Sequence, residues 1–538
     1  MKRNLMVVIM MFQLLSAFSC TDKNKDDEQP ALPLTRVAII PQPESLTHGL
    51  HNIPLPGDVA ISTGIQGIHA QLLKETLATK TQSVSTATNE KAFVRVYVDN
   101  TLKEEGYRIN IDETGCNLYY KTSAGMLWGI QTLRQIILQG AATPSGATSI
   151  PLLTLTDAPQ KTWRGFHIDV VRHTFTLDYL KKIVDCLSFY KINKLQMHLT
   201  DDQGWRIEIK KYPTLTSVGG WRQFDEYDKR CIELANTDNT FTIDSRFIRN
   251  GNEYGGYYTQ QELKDFINYA IERGIDVIPE IDMPGHFSAA IRAFPELSCT
   301  GQAGWGHEFS YPVCAGKVEN YQFFTDILNE VADLFPSKYF HVGGDEVEKD
   351  NWKKCPHCQQ LIREQNLMNV DGLQNYFIKH MADYVRTDKG KQVMAWDDAF
   401  IARDPQDLLY TYWRDWMSDQ PGKITQQGLP LVFMEWGRFY LSATPSDKHL
   451  KSLYEFEFEP QFPGIVKSNV VGFQACVWTE MIPNERKFGQ HVFPALQAFA
   501  EVAWGSQRDW GSFTTRIPWH LGWLTQNGLH SRTPDFMK

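Results

Sequence analysis

The chain has 538 residues, with 54 Lys and Arg against 63 Asp and Glu, a formal net charge of −9, and 42% apolar and 12% aromatic residues. That is enough for a large core in two or more domains, or in one large domain with a satellite. The acidic balance leaves no electrostatic footprint for nucleic acid, which needs a clustered basic face. The 15 Trp suit either core filling or platforms on which sugar rings stack.

Residues 1–20, "MKRNLMVVIMMFQLLSAFSC", open with two basic residues, continue in an apolar run too short to span a membrane, and end on small residues before Cys20. This pattern predicts an export signal. Its end resembles a bacterial lipoprotein cleavage site of the Bacteroidetes type, which implies lipidation of Cys20 and an outer-membrane anchor at the cell surface or in the periplasm; plain secretion is the alternative. Residues 21–35, beginning "TDKNKDDEQP", are expected to be a flexible acidic tether with nothing to bury.

Residues 36–157 alternate short β-runs with helical ones. "AFVRVYVDN" and "GYRINIDETGCNLYYK" are predicted strands, and "AGMLWGIQTLRQIIL" is a predicted amphipathic helix. This is expected to be a small α+β domain, with "TLTDAPQKTWRG" as a Pro-containing junction.

Residues 158–538 change rhythm. Eight apolar runs of strand length recur between largely helical segments: "GFHIDVV", "KLQMHL", "DVIPEI", "YFHVGG", "QVMAW", "LLYTYW", "LPLVFM" and "VVGFQACVW". Eight such runs predict a (β/α)8 barrel, an α/β fold whose functional residues gather at the C-terminal ends of the strands. The residues just after the runs fit that rim: "RH", "TDDQGW", "DMPGH", "DE", "DD", "RDW", "EWGRFY" and "TE". Residues 219–256, too long and polar for an ordinary connection, are expected to be a lid or binding loop.

"CPHC" at Cys355–Cys358 is a single CxxC without a second half, which gives a zinc site little support; a disulfide or two free thiols suits it better. Cys299 and Cys314 bracket a Gly-rich stretch and suit an oxidised bridge.

A rim with paired acids, an Arg, a His and several Trp fits glycoside hydrolysis. The usual retaining mechanism sets an acid and a nucleophile about 5 Å apart across the scissile bond. Asp345 and Glu346 are chain neighbours, whose side chains would diverge on a strand. A substrate's own 2-acetamido oxygen could attack instead, if one carboxylate held the amide while the other protonated the leaving group.

"HVGGDE" resembles the signature of glycoside hydrolase family 20, the exo-acting β-N-acetylhexosaminidases. "DVVRH", "HLTDDQGWRIE", "EIDMPGH", "AWDD" and "CVWTE" stand in family order. The resemblance runs over nearly all of the chain beyond residue 36, including a small domain before the barrel. It implies removal of terminal β-linked N-acetylglucosamine or N-acetylgalactosamine from glycans with retention of configuration. No metal or cofactor is implied, and a homodimer is left open.

By the same resemblance, Glu346 is the acid and later the base, and Asp345 orients the acetamido group and steadies the oxazolinium-like intermediate. Arg172 holds ring hydroxyls, Asp201 and His286 support the acid, and Glu480 binds hydroxyls. Trp396, Trp413 and Trp478 line the pocket, and Tyr440 donates to the acetamido oxygen. In "RFYLS" the family usually carries an Asp where this chain has Ser442. That departure suggests tolerance of a 6-sulfated sugar, with Arg438 pairing the sulfate.

Two rival readings remain on sequence grounds. A metal-dependent hydrolase would use His286 and the Asp residues, although the 15 His include no obvious HxH pair. A non-catalytic surface glycan-binding lipoprotein would use the Trp-rich face but has no need for an acid beside an amide-orienting carboxylate.

Overall fold

The computed structural model describes residues 32–538. The expected signal peptide, Cys20 and most of the expected tether lie outside the described residues. The last tether residues are held rather than free. Leu32 bridges Asn52, and the Thr35 amide donates to Asn52 Oδ1 at 2.9 Å.

The N-terminal domain is a mixed sheet whose main strands lie in the order Ser45–Pro54, Thr148–Asp157, Tyr107–Asp112, Gly115–Tyr120, Val94–Val98, Asp58–Ser62 and Ser83–Ala87. Tyr107–Asp112 alternates buried and half-buried residues, the period of a half-covered strand. Helices Gly67–Ala78 and Ser123–Leu138 pack on the sheet, the second capped by Thr122 accepting from the Gly125 amide. The expected junction is narrower than its sequence suggests. "TLTD" ends a strand of this sheet and "WRG" begins the barrel, so residues 158–162 alone connect the two.

The barrel closes from eight parallel strands: β1 (Trp163–Asp169), β2 (Lys194–His198), β3 (Asp276–Glu280), β4 (Tyr339–His341), β5 (Gln392–Trp396), β6 (Leu409–Tyr412), β7 (Leu431–Phe433) and β8 (Val470–Val477). Each pairs with its neighbour in sequence, and β8 pairs with β1. These are the eight runs expected from the sequence. The barrel centre is not wholly apolar. Trp163 Nε1 donates to Gln474 Oε1, Gln474 Nε2 to Gln196 Oε1, and Gln196 Nε2 to Glu280 Oε2, at 3.1, 2.7 and 2.8 Å. These side chains persist at the centre because each finds a partner in the next.

Residues 219–256, expected to be a lid or binding loop, carry secondary structure of their own. Trp221–Gln223, Ile248–Arg249 and Glu253–Gly255 form a small antiparallel sheet beside helix Glu226–Ala235. Arg222 pairs with Asp228 at 2.9 Å and donates to the Arg172 carbonyl, while the Thr174 amide donates to Tyr254 Oη. This unit buttresses the loop after β1.

All eight cysteines among the described residues are free thiols. The bridge expected between Cys299 and Cys314 is therefore absent.

A buried polar bolt joins the domains. Lys191 Nζ meets Asp157 Oδ2 at 3.0 Å, and Tyr107 Oη and Trp504 Nε1 donate to the same carboxylate at 2.6 and 2.9 Å. Burial lowers the Lys191 pKa, so the ammonium depends on this partner. Asp157→Ala leaves the cation unpaired and is expected to cost about 3–5 kcal/mol, read as a lower unfolding midpoint in urea.

Candidate active site

The site begins where β4 ends, at His341. The Gly343 amide donates to His341 Nδ1 and the Gly344 amide to Asp282 Oδ1, at 3.1 and 3.2 Å. Gly343 and Gly344 have φ of +73° and +104°, in the left-handed region that side chains disfavour. A Cβ on Gly343 would also stand 1.7 Å from Asp282 Oδ1. Two glycines thus let the backbone turn over a buried acid.

The two carboxylates beyond that turn sit in a loop past the strand, so strand alternation does not govern them. Glu346 has φ +50°, and both side chains line one cavity. His286, also at φ +50°, places Nε2 3.2 Å from Glu346 Oε2 and 3.7 Å from Asp345 Oδ2. Burial, then repulsion from Asp282 and Glu346, raises the Asp345 pKa well above the carboxylate range. Burial pushes Asp282 up to about 7. Asp345 Oδ1 is buried and has no hydrogen-bond partner.

Behind His286 lies a shared carboxylate. Asp201 meets His286 Nδ1 at 3.2 Å, His198 Nε2 at 2.7 Å and Arg172 Nη2 at 2.8 Å. Burial opposes its charge, but Arg172 and His286 hold its pKa well below the ordinary value. Burial likewise opposes charge on His286, and Asp201, Asp202 and Glu346 outweigh it and raise its pKa well above the usual one. Arg172 Nη1 also reaches Asp169 at 3.2 Å and Glu480 at 3.5 Å, so one guanidinium spans three acids.

The aromatic side of the cavity comes from β5, β6 and β8. Trp396 ends β5, and its Nε1 donates to Glu280 Oε1 at 2.8 Å. Trp413 comes just after β6, its Nε1 held by Asp398 Oδ2 at 2.8 Å and its ring stacked on Tyr440 with centroids 6.3 Å apart. Trp478 comes just after β8 and stands 5.9 Å from Trp396 and 6.2 Å from Tyr440. Burial raises the Tyr440 phenol well above its usual pKa, which keeps it a donor.

All eleven residues singled out from the sequence, including Ser442, line this single cavity of about 370 Å³. Arg438 does not. Its guanidinium pairs with buried Glu435 and lies over Phe456, which removes it as the partner of a 6-substituent. The cavity also takes in Trp436, Met481 and Ile482, which sequence reasoning did not single out, although Trp436 stood in "EWGRFY". Glu280, His198 and Asp282 were missed as supports too. They lay inside the same motifs, but nothing in the order of residues shows which neighbour a buried polar group will meet.

Donor atoms of Asp282, His286 and Asp345 lie within 4.8 Å of one another, as do those of Asp201, Asp202 and His286. Both sets include His286, and a third set, His167, His198 and Glu280, lies deeper in the barrel. The carboxylates around His286 raise its pKa, so a proton competes with a metal for the ring nitrogens. His286 thus links Asp201 to Glu346 through its two ring nitrogens.

Residues 162–507 match the model of the glycosyl hydrolase family 20 catalytic domain, and residues 36–158 match that of glycosyl hydrolase family 20, domain 2. The chain is 31% identical to a beta-hexosaminidase of Porphyromonas gingivalis over 97% of this chain and 67% of that protein. Its structure is similar to an exo β-N-acetylglucosaminidase of Vibrio harveyi solved in complex with N-acetylglucosamine, with a TM-score of 0.81 and 27% identity over 94% of this chain and 80% of that one. It is also similar to a β-N-acetylhexosaminidase of Bacteroides fragilis, with a TM-score of 0.75 and 28% identity over 92% and 97% of the two chains.

Asp282 is the first charged neighbour to raise the Asp345 pKa. A step that needs Asp345 ionised gains rate as pH rises through that raised value. Asp282→Asn is expected to move the acid limb of kcat/KM to lower pH, toward the ordinary aspartate value of about 3.9. A pH–rate profile on an aryl N-acetylglucosaminide reads the shift.

Proposed function

The chain belongs to glycosyl hydrolase family 20, and on that footing we propose that it removes terminal β-linked N-acetylglucosamine or N-acetylgalactosamine from glycans by substrate-assisted hydrolysis. The observation that carries this reading is Asp345 Oδ1, a buried acceptor without a partner beside Glu346 in a Trp-lined cavity. An acetamido N–H supplies the missing donor.

In the first step the acetamido oxygen attacks C1, the glycosidic C1–O bond breaks, and Glu346 gives its proton to the departing oxygen. Asp345 accepts the amide N–H and balances the charge that grows as the oxazolinium forms; its raised pKa makes it a strong acceptor. The Tyr440 O–H aligns the attacking oxygen. In the second step Glu346, now a carboxylate, takes a proton from water as that water attacks C1. The acetamide is restored, and two inversions leave the anomeric configuration unchanged. His286, between Asp201 and Glu346, is placed to steady the carboxylate form of Glu346. Arg172 and Glu480 face outer hydroxyls of the sugar.

A glycan-binding lipoprotein without turnover would not need this pair. Export through the signal at residues 1–20, with a lipid anchor at Cys20, would set the enzyme against extracellular or periplasmic glycans.

Turnover on 4-nitrophenyl β-glycosides tests the reading. Release is expected from the N-acetylglucosamine or N-acetylgalactosamine glycoside and not from the glucoside. Glu346→Gln and Asp345→Asn are each expected to lower kcat by about 10²–10⁴-fold while sugar binding to Glu346→Gln persists. Equal release from the glucoside would place the nucleophile on the protein.

Ser442 leaves one wall of the cavity without the family's usual carboxylate, which supports acceptance of an anionic 6-substituent. The basis is relief of repulsion, since Arg438 is engaged elsewhere. Ser442→Asp is expected to cut the rate on the 6-sulfated glycoside relative to the unsulfated one by about tenfold or more, the cost of a like-charge contact. An unchanged ratio in a competition assay would remove the 6-sulfate reading.

A further inference from the structure

Four of the free thiols converge away from the catalytic cavity. Cys299 and Cys314 lie in the long connection after β3; Cys355 and Cys358 lie just beyond the catalytic loop after β4. Their Sγ atoms all lie within 4.8 Å of one another, with Cys299–Cys358 at 3.8 Å and Cys314 at 3.6 Å from both Cys355 and Cys358. A disulfide brings its sulfurs to about 2.05 Å. Zinc at about 2.3 Å from four tetrahedral thiolates sets them about 3.8 Å apart. Three of the six separations match the metal tetrahedron, and the other three lie within 4.8 Å.

Local structure supports this. Pro356–Glu364 is a helix with Cys355 at its N-cap and Cys358 in its first turn, so two sulfurs sit at the positive end of the helix dipole. The Gly316 amide points at Cys314. A Cβ on Gly316 would lie 2.2 Å from the Cys358 nitrogen, so the two backbones meet where only glycine fits. Cys314, Cys355 and Cys358 are buried and Cys299 half-buried, which closes the site to substrate.

We propose that Cys299, Cys314, Cys355 and Cys358 bind one structural zinc ion that fastens the connection after β3 to the segment carrying Asp345 and Glu346. Four thiolates fill the tetrahedron and leave no open position, so the ion has a structural task. The joined segments already touch. Trp352 Nε1 donates to the Val313 carbonyl at 2.9 Å, and Glu348 Oε2, two residues beyond Glu346, accepts from the His307 amide at 3.0 Å. The ion would hold these contacts, and with them the backbone that presents the acid pair.

The test is elemental analysis and intact mass of the full chain purified without added metal or reductant. About one zinc per chain, with a denatured mass showing these four cysteines reduced, is expected. Cys355→Ser/Cys358→Ser is expected to lose the zinc and to melt several degrees lower. Should that variant not fold, exchange of the wild-type metal for cobalt(II) gives a second readout: thiolate-to-cobalt charge transfer with the visible bands of a tetrahedral site. A mass showing two disulfides, iron in place of zinc, or four free thiols that take up neither zinc nor cobalt would each overturn the proposal.

Discussion

One buried carboxylate, Asp201, holds the mouth of the barrel together. It meets a guanidinium and two imidazoles, each of which it shares with a further carboxylate: Arg172 with Asp169, His198 with Glu280 and His286 with Glu346. Burying a single ion costs several kcal/mol unless partners compensate. Asp201 is compensated from three sides, and it fixes all three partners in turn. Arg172 is aimed along the outer wall of the cavity, and His286 is locked between Asp201 and Glu346. The positions of Arg172 and of His286 beside Glu346 are therefore set by the same group.

The catalytic pair depends on a second constraint, the space around Asp282. That acid sits under the turn after β4 and accepts from the Gly344 amide. A side chain at Gly343 would collide with it, and Gly344 is needed for its φ of +104°. Its neutral form is favoured by burial, and its remaining charge raises the pKa of Asp345. Backbone geometry and electrostatics thus share one cause. The turn that brings both acids into the cavity also brings Asp345 close enough to Asp282 to make it a strong acceptor.

Much of this was legible beforehand because barrel strands declare themselves. A strand buried on both faces tends to a near-continuous apolar run, so "YFHVGG" and "VVGFQACVW" stood out despite their His and Gln, and the polar residues just beyond such runs marked the rim. The residues that line the cavity were picked out the same way, helped by motifs in a known order. Other features had no local signature. Arg438 looked available for an anion because its partner, Glu435, could as easily have faced solvent. Residues 219–256 looked like a lid because short strands paired across thirty residues leave little periodicity. Cys355 and Cys358 looked like half a site because the other half comes from Cys314 and Cys299, 41 and 59 residues away from their respective partners.

The sequence by itself determined the barrel, the domain that precedes it, the adjacency of Asp345 and Glu346 at a strand end and the aromatic character of the pocket. Those depend on residue type and local period, which each segment carries with it. Only the tertiary structure decided which charges share a proton or a partner: Asp201 with His286 and Arg172, Asp345 with Asp282, Arg438 with Glu435, and the four cysteines with one another. Such pairings depend on distances of a few ångströms between segments remote in the chain, and Coulomb energies and ligand geometries change steeply over that range.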